Sequence, residues 1–316
     1  MKRVLITGGS GFIGSHIADY LLVRGYGVAI FDKISPVFPT EAETIVEDVL
    51  NFDAISQAIK NVDCVVHAAG VLGTHETVAA PIVSINENVI GTLNVLEAAV
   101  RFDVPVICLS KPNVWLNPYS ISKDCMEKFC FMYIHEHGLK VSILKLFNVY
   151  GPRQKYNHIQ KAIPTWIMQM LTDNKVEIFG TGNATMDLVH VRDVSVCIEG
   201  VLDNLEACLI STHQPIADDI YTTFSGLNEQ ILELGSGEEI SVLDAVRKLG
   251  SLVGKDYSIN HLPMRRGEID GTRLCANLSR LQQLTKYKPS VALAEGFEDT
   301  ISFYRESLSA ILGGKL

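Results

Sequence analysis

The sequence predicts an α/β fold: a doubly wound parallel sheet with helices on both faces and a smaller C-terminal α/β domain at its carboxyl edge. Three observations carry this. Short β-branched runs alternate with helical patterns through the first 150 residues, as βαβ units require. A glycine-rich turn, Gly8-Gly9-Ser10-Gly11-Phe12-Ile13-Gly14, joins the first run to the first helical stretch. Beyond Gly151-Pro152 the alternation turns irregular, which divides the chain into a domain over 1–150 and a second over 151–316, with some segments of the second half returning to the first.

Each element follows from its pattern. Val4 to Thr7 is apolar and β-branched, hence a strand, and Phe12 to Val23 is the helix after the turn. Gly27 to Asp32 and Thr44 to Glu47 read as strands two and three, with a helix near Phe52 to Ile59. Val62 to Ala68 is a fourth strand and Val83 to Arg101 a long helix. Val104 to Ser110, Tyr119 to His137 and Lys140 to Phe147 read as strand, helix and strand. In the second half, helices are expected near 162–172 and 241–253 and strands near 176–179 and 231–234, the latter in the smaller domain. Residues 204–229 form a long connection without periodicity.

The composition narrows the function classes. The net charge of −9 opposes a nucleic-acid partner or an anionic membrane surface, which need a cationic stripe. No apolar run approaches the ~20 residues of a membrane span. The seven cysteines are scattered, as in a reduced cytoplasmic protein, and no His/Cys/Asp cluster suggests a metal site.

Gly8, Gly11 and Gly14 follow a strand and open a helix, the Rossmann dinucleotide-binding arrangement. The first glycine permits the turn, the second lets backbone approach a pyrophosphate, and the third lets helix pack on strand. The N–H groups at the helix start, including those of Phe12 and Ile13, then face the phosphates. Asp32 closes the second strand, where a carboxylate binds both ribose hydroxyls and repels a 2′-phosphate, favouring NAD over NADP. Lys33 beside it weakens that preference. Asp48 and Val49 either border the adenine or serve as an ordinary helix N-cap.

Tyr119 and Lys123 have YxxxK spacing, so on a helix they share a face. A free tyrosine has a pKa near ~10. A lysine and a positively charged nicotinamide would favour the phenolate and lower it. Such a tyrosine takes a proton from a hydroxyl while a hydride leaves the same carbon.

At this point the sequence resembles the extended short-chain dehydrogenase/reductases, specifically the NAD-dependent nucleotide-sugar epimerase/dehydratase family, over nearly the whole chain. The glycine turn with Thr7 looks like that family's TGGxGFIG. Val65-Val66-His67-Ala68-Ala69-Gly70 looks like its fourth-strand motif beside the nicotinamide ribose. The stretch from Asn88 to Asn94 resembles its NxxGTxN helix, whose first Asn supports the active site, and Pro118 to Lys123 resembles PYxxSK. Phe147 to Arg153 resembles FNVYGPR, whose Asn, here Asn148, contacts the sugar diphosphate. The resemblance extends to Gly180-Thr181-Gly182, to His190 through Val194 with Arg192, to Arg265-Arg266-Gly267-Glu268 as a diphosphate-binding segment, and to Tyr287 through Gly296. It implies a nucleotide-diphosphate sugar as substrate, with Asn148, Arg153, Arg192, Arg265 and Glu268 as candidate contacts. It also implies a cytoplasmic homodimer, paired through the helices at 83–101 and 119–137. Phe129, Phe131, Met132 and Tyr133 are apolar beyond one core face of the second of these.

Two departures from the pattern bear on the reaction. Lys111 stands where the family's catalytic Ser or Thr is expected, so Ser110 or Asn113 is a candidate substitute. Lys111 itself either acts as a cation near Tyr119, stabilising phenolate or pairing with an acidic substrate group, or points to solvent. Met186-Asp187 stands where Arg-Asp is usual, leaving Arg153, Lys161, Arg192 or Arg265 to replace a diphosphate contact. Pro112 and Asn113 occupy the places of the acid and base that a 4,6-dehydratase or a decarboxylase needs, which disfavours both. The leading expectation is therefore a C4 epimerase-type oxidoreductase. A one-way C4 dehydrogenase/reductase is the alternative, and an NAD-binding protein without catalysis is the different class to be tested.

Overall fold

The computed structural model describes residues 2–112, 114–156, 159, 161–211 and 226–314. Asn113 and most of the long connection, 212–225, lie outside them.

Seven parallel strands form the main sheet: β1 (Arg3–Thr7), β2 (Gly27–Asp32), β3 (Glu43–Val46), β4 (Cys64–His67), β5 (Val106–Ser110), β6 (Val141–Leu146) and β10 (Leu232–Leu234). Their order is β10-β6-β5-β4-β1-β2-β3. The chain thus runs outward from β1 in one direction and then, from β4, in the other. The carboxyl ends of β1 and β4 mark the topological switch point where open α/β sheets bind ligands.

Residue alternation along these strands explains the two-sided burial. Leu5, Ala29, Phe31, Val65, Val106 and Cys108 face one core, while Val4, Ile6, Val28, Ile30, Val66, Ile107 and Leu109 face the other. Successive side chains point to opposite faces, so a strand covered on both sides reads as a continuous apolar run. The first core is closed by α2 (Phe52–Ile59), α3 (Gly91–Phe102) and α4 (Pro118–His137). The second is closed by α1 (Phe12–Val23) and by α6 (Val191–Asp203), which follows α5 (Ala162–Thr172) in the chain.

A third core belongs to the smaller part. It packs α5, α7 (Val242–Val253) and α9 (Leu293–Glu306), which follows α8 (Ser279–Thr285), against short strands. These strands are β7 (Asn148–Tyr150), β9 (Thr185–His190) and β11 (Glu239–Ser241) in one sheet, and β8 (Lys175–Phe179) with β12 (Ser258–Leu262) in another.

Four expectations need correction. The strand near 231–234 belongs to the main sheet, where Leu232 and Leu234 pair with Leu144 and Leu146; its three residues carry too little pattern to reveal the partner. The long helix at 83–101 is not continuous: a short helix, Pro81–Ile85, passes through a π-helical turn, Asn86–Ile90, into α3. Phe131 and Tyr133 are buried in the first core, so they offer no surface to a second subunit. Lastly, the connection over 204–229 carries a short helical turn, Leu205–Cys208. Among the described residues no helix is long and apolar enough to cross a membrane.

Candidate active site

The glycine turn is built as its spacing requires. Gly8 has φ +69°, and its N–H donates to Phe31 O at 2.8 Å. A Cβ at Gly8 would meet Ala69 N at 2.7 Å, and one at Gly14 would collide with the carbonyl of Gly8. The turn therefore packs against Ala68-Ala69 on one side and α1 on the other, leaving no room for side chains. Helix α1 starts at Phe12 with no side-chain cap on its first turn, so the N–H groups of Phe12, Ile13 and Gly14 have no acceptor within the helix.

Asp32 ends β2 beside this turn. Its carboxylate accepts from Ser10 N at 3.0 Å and Ile34 N at 3.2 Å, and burial pushes its pKa up. Lys33 pairs with Glu87 at 2.6 Å, which partly neutralises the charge that would attract a 2′-phosphate beside Asp32. Asp48 is not a helix N-cap: α2 is capped by Asn51, while Asp48 accepts from Leu50 N at 2.9 Å in the turn before it. Val49 is buried against Gly91.

Behind the switch point lies a buried polar chain. His67 bridges Thr7 Oγ1 at 2.7 Å and Thr92 Oγ1 at 2.9 Å, and burial holds its pKa down at about 3, so the ring is neutral. Asn88 is fully enclosed. Its Oδ1 accepts from Val71 N at 2.8 Å, and its Nδ2 donates to Val71 O and Ser122 Oγ, both at 2.9 Å. Every polar atom of Asn88 is thus committed to the protein: it clamps the loop after Gly70 to helix α4 instead of presenting a free group to a cofactor.

Helix α4 delivers the tyrosine. Pro118 occupies its first turn, Asn117 caps it by accepting from Ser120 N at 2.9 Å, and Gly138 closes it at φ +65°, three devices that fix both ends. Asn117 also donates to Gly267 O at 3.2 Å, joining the start of α4 to the 265–268 segment. Tyr119 is half-buried, and its hydroxyl has no hydrogen-bond partner among the described residues. One helical turn on, Lys123 donates to Leu109 O at 3.0 Å. The expected lowering of the tyrosine by this lysine is not what the protein itself does: burial dominates and pushes Tyr119 up to about 12.

Ser110 does not stand in for the missing hydroxyl. It donates to Glu127 Oε1 at 2.5 Å, and Glu127 is in turn paired with Lys145 at 3.1 Å. Lys111 turns inward, not to solvent. Its ammonium donates to Ser120 Oγ at 2.9 Å and lies 5.2 Å from the centroid of the Tyr119 ring. Burial, reinforced by Lys161, pushes its pKa down to about 8.

The candidate substrate contacts fall into two groups. Asn148 has a buried Oδ1 without a hydrogen-bond partner among the described residues. Arg265 holds Glu268 in a two-pronged ion pair and stacks on Phe179; Lys161 lies near both. Arg153 and Arg192 are not brought to this group. Arg153, at φ +67°, pairs with Asp19 of α1 at 2.7 Å and lies over Phe38. Arg192 pairs with Glu295 at 2.8 Å. The usual Arg-Asp position is structural here. Met186 is core, and the enclosed Asp187 accepts from Ser236 N, Gly237 N and Ala276 N.

A family model described as the NAD dependent epimerase/dehydratase family matches residues 4–210. The chain belongs to the NAD dependent epimerase/dehydratase family. Its members here are extended short-chain dehydrogenase/reductases that act on nucleotide sugars, so the chain is an enzyme with NAD as cofactor. It is 28% identical to a putative UDP-glucose 4-epimerase of Methanocaldococcus jannaschii, covering 96% of this chain and 99% of that one. It is 27% identical to the UDP-N-acetyl-alpha-D-glucosaminuronate decarboxylase of Bacillus cytotoxicus, covering 96% and 98%. A crystal structure of the UDP-glucuronic acid 4-epimerase of Bacillus cereus, with UDP-glucuronic acid and NAD, superposes with a TM-score of 0.81 at 26% identity, covering 96% and 99%.

The residues present fit the family cofactor. The side-chain-free cradle at Gly8 and Gly14, the uncapped start of α1 and the carboxylate of Asp32 suit a pyrophosphate and a ribose diol. Sequence reasoning overlooked Glu127 and Thr92. The first was legible as the carboxylate four residues beyond Lys123, the second as the residue one turn after Asn88.

Proposed function

We propose that this enzyme is a nucleotide-sugar C4 epimerase. The observation that carries the reading is a Tyr119 hydroxyl without a hydrogen-bond partner among the described residues, preceded in the chain by a post-β5 stretch, Ser110-Lys111-Pro112, that holds no carboxylate. NAD supplies the hydride acceptor and donor. Tyr119 takes the proton of the sugar 4-hydroxyl and returns it after the ring has turned. A phenol is protonated at neutral pH even in water and burial raises this one further, so it must be drawn down when it reacts. The chain's own means are two ammonium groups, Lys123 one turn along the helix and Lys111 over the ring, since nearby positive charge favours the phenolate. Asn148 and Arg265 are the groups suited to the diphosphate, and Asn88 and Asn117 hold the loop and helix that carry the reacting side chains.

The test follows both sugar and cofactor. Protein with NAD⁺ is incubated with UDP-hexoses and UDP-uronates; NMR reads the sugar and absorbance reads NADH. The expected outcome is a 4-epimer without net NADH. Stoichiometric NADH would instead assign the one-way dehydrogenase.

We propose further that the enzyme is a homodimer. Ile82, Val83 and Ile85 on the segment before α3 and Ile121 on α4 are exposed, and exposed apolar clusters mark contact sites. Light scattering at micromolar concentration is expected to give twice the 34.8 kDa chain mass; a monomer would refute this.

A further inference from the structure

The cations of the site divide by whether this chain already neutralises them. Arg153, Arg192 and Arg265 are held by Asp19, Glu295 and Glu268, and Lys145 is held by Glu127. Lys111, Lys123 and Lys161 are not, and of these Lys123 is spent on Leu109 O. Among the described residues the ammonium of Lys111 has only the Ser120 hydroxyl and the face of the Tyr119 ring. The ammonium of Lys161, half-buried at the start of α5, makes no ion pair or hydrogen bond among the described residues. The charged groups around Lys111 are Lys161, Glu127, Lys123 and Lys145; those around Lys161 include Glu76, Arg265 and Glu268. Cations therefore outnumber carboxylates here, within a chain whose net charge is −9. An unpaired buried charge is costly to keep unless a ligand completes it.

The position of the surplus indicates which end of the ligand it serves. The ammonium of Lys111 stands 5.2 Å from the ring centroid of Tyr119, the residue to which the proposed function gives the sugar proton, which associates it with the sugar end of the ligand, whereas Asn148 and Arg265 are the groups suited to the diphosphate. We infer that Lys111, with Lys161 beside it, forms an anion subsite that selects a nucleotide sugar bearing a carboxylate on its ring, a uronate, over a neutral hexose. This rests on the cleft taking a nucleotide sugar, as proposed above. It assigns Lys111 to substrate recognition at a position where a hydroxyl would serve proton relay.

The test is a binding measurement on NAD⁺-loaded protein carrying Tyr119→Phe, so that no ligand is turned over. UDP, UDP-glucose and UDP-glucuronic acid are titrated calorimetrically. The expected result is about 10-fold or greater preference for UDP-glucuronic acid over UDP-glucose, from one charge-assisted hydrogen bond. Lys111→Gln and Lys161→Gln should each carry that ratio towards one. Lys111→Arg, which keeps the charge, should retain part of it and guards against a folding defect in the Gln variant. Equal affinity for the two sugars would overturn the inference. So would a lysine substitution that weakens UDP, UDP-glucose and UDP-glucuronic acid alike, since that places the lysine on the diphosphate. Failure of UDP itself to bind would remove the nucleotide-sugar reading together with the subsite. A uronate preference without epimerisation would leave the subsite standing and reject only the epimerase.

Discussion

The two sides of the cleft differ in how fully the protein satisfies them. Beside the glycine turn, Thr7, His67, Thr92 and Asn88 are bonded to one another or to backbone, and Lys33 is neutralised by Glu87. Elsewhere in the candidate site, the Tyr119 hydroxyl, Asn148 Oδ1 and the ammonium of Lys161 have no such partners among the described residues. Saturated polar groups rigidify a site, whereas unsatisfied ones cost free energy until something binds them. The polar chain behind the glycine turn is therefore a fixed frame, and under the proposed function specificity belongs to the groups left incomplete.

The largest break in that contrast is Tyr119→Phe. It removes one unpartnered hydroxyl and no internal bond, so turnover should fall about 10²–10⁴-fold while the thermal midpoint and NAD affinity hold. Unchanged turnover would remove Tyr119 from the proton transfer, and no turnover by the unaltered protein would mark the chain as a binding protein without catalysis.

Asn88→Ala acts on the saturated side and should show the opposite profile. It strips three hydrogen bonds from an enclosed site and strands the N–H of Val71, costing about 2–4 kcal/mol. Urea unfolding reads this directly, and a loss below about 0.5 kcal/mol would contradict the frame.

Lys161→Met sharpens the comparison from the other side. Burial holds this lysine at about 8, against an ordinary 10.5. Its folded value is depressed, so folding disfavours the charged form. The cost is fully present below about pH 8 and is relieved as pH rises towards 10.5. At neutral pH the substitution should stabilise the free protein by about 1 kcal/mol, while the preference for an acidic sugar declines. A lower thermal midpoint would show that Lys161 supports the fold.

The smallest effect is in pH. Lys111 keeps its proton only below about 8, and only the protonated form pairs with a carboxylate. The ratio of UDP-glucuronic acid to UDP-glucose affinity should be full near pH 6.5 and decline as pH rises through about 8. A flat ratio would separate Lys111 from the anion.

What could be read in the sequence follows the same division. The strands of the main sheet, the glycine turn and the Tyr119–Lys123 pair depend on spacing within a few residues, and spacing is visible. Strand β10 and the strands of the smaller part are three to six residues long and take their meaning from distant partners, such as Leu144 and Leu146 for β10. Phe131 and Tyr133 look like excess apolar surface on a helical wheel until the first core is found to wrap further around α4. Lys111 was visible as a departure, but whether it faced solvent or Tyr119 depended on Ser120 being turned towards it. Arg153 matched its motif and still went elsewhere, because a carboxylate on α1, 134 residues away in sequence, claimed it.

The π-helical turn at Asn86–Ile90 has a consequence for how this region of the protein can vary. Such a turn holds one residue more than an α-helix needs. The stretches on either side are therefore out of phase by about 100°, the rotation of one helical residue. That offset allows Ile82, Val83 and Ile85 to be exposed while Thr92, Val95 and Leu96 are buried, with Asn88 at the joint between them. Deleting one residue here would restore a regular helix and still rotate the outer face relative to the inner one. Its exposed positions, Ile82, Val83 and Ile85, can therefore accept substitutions far more readily than the segment can accept a change in length.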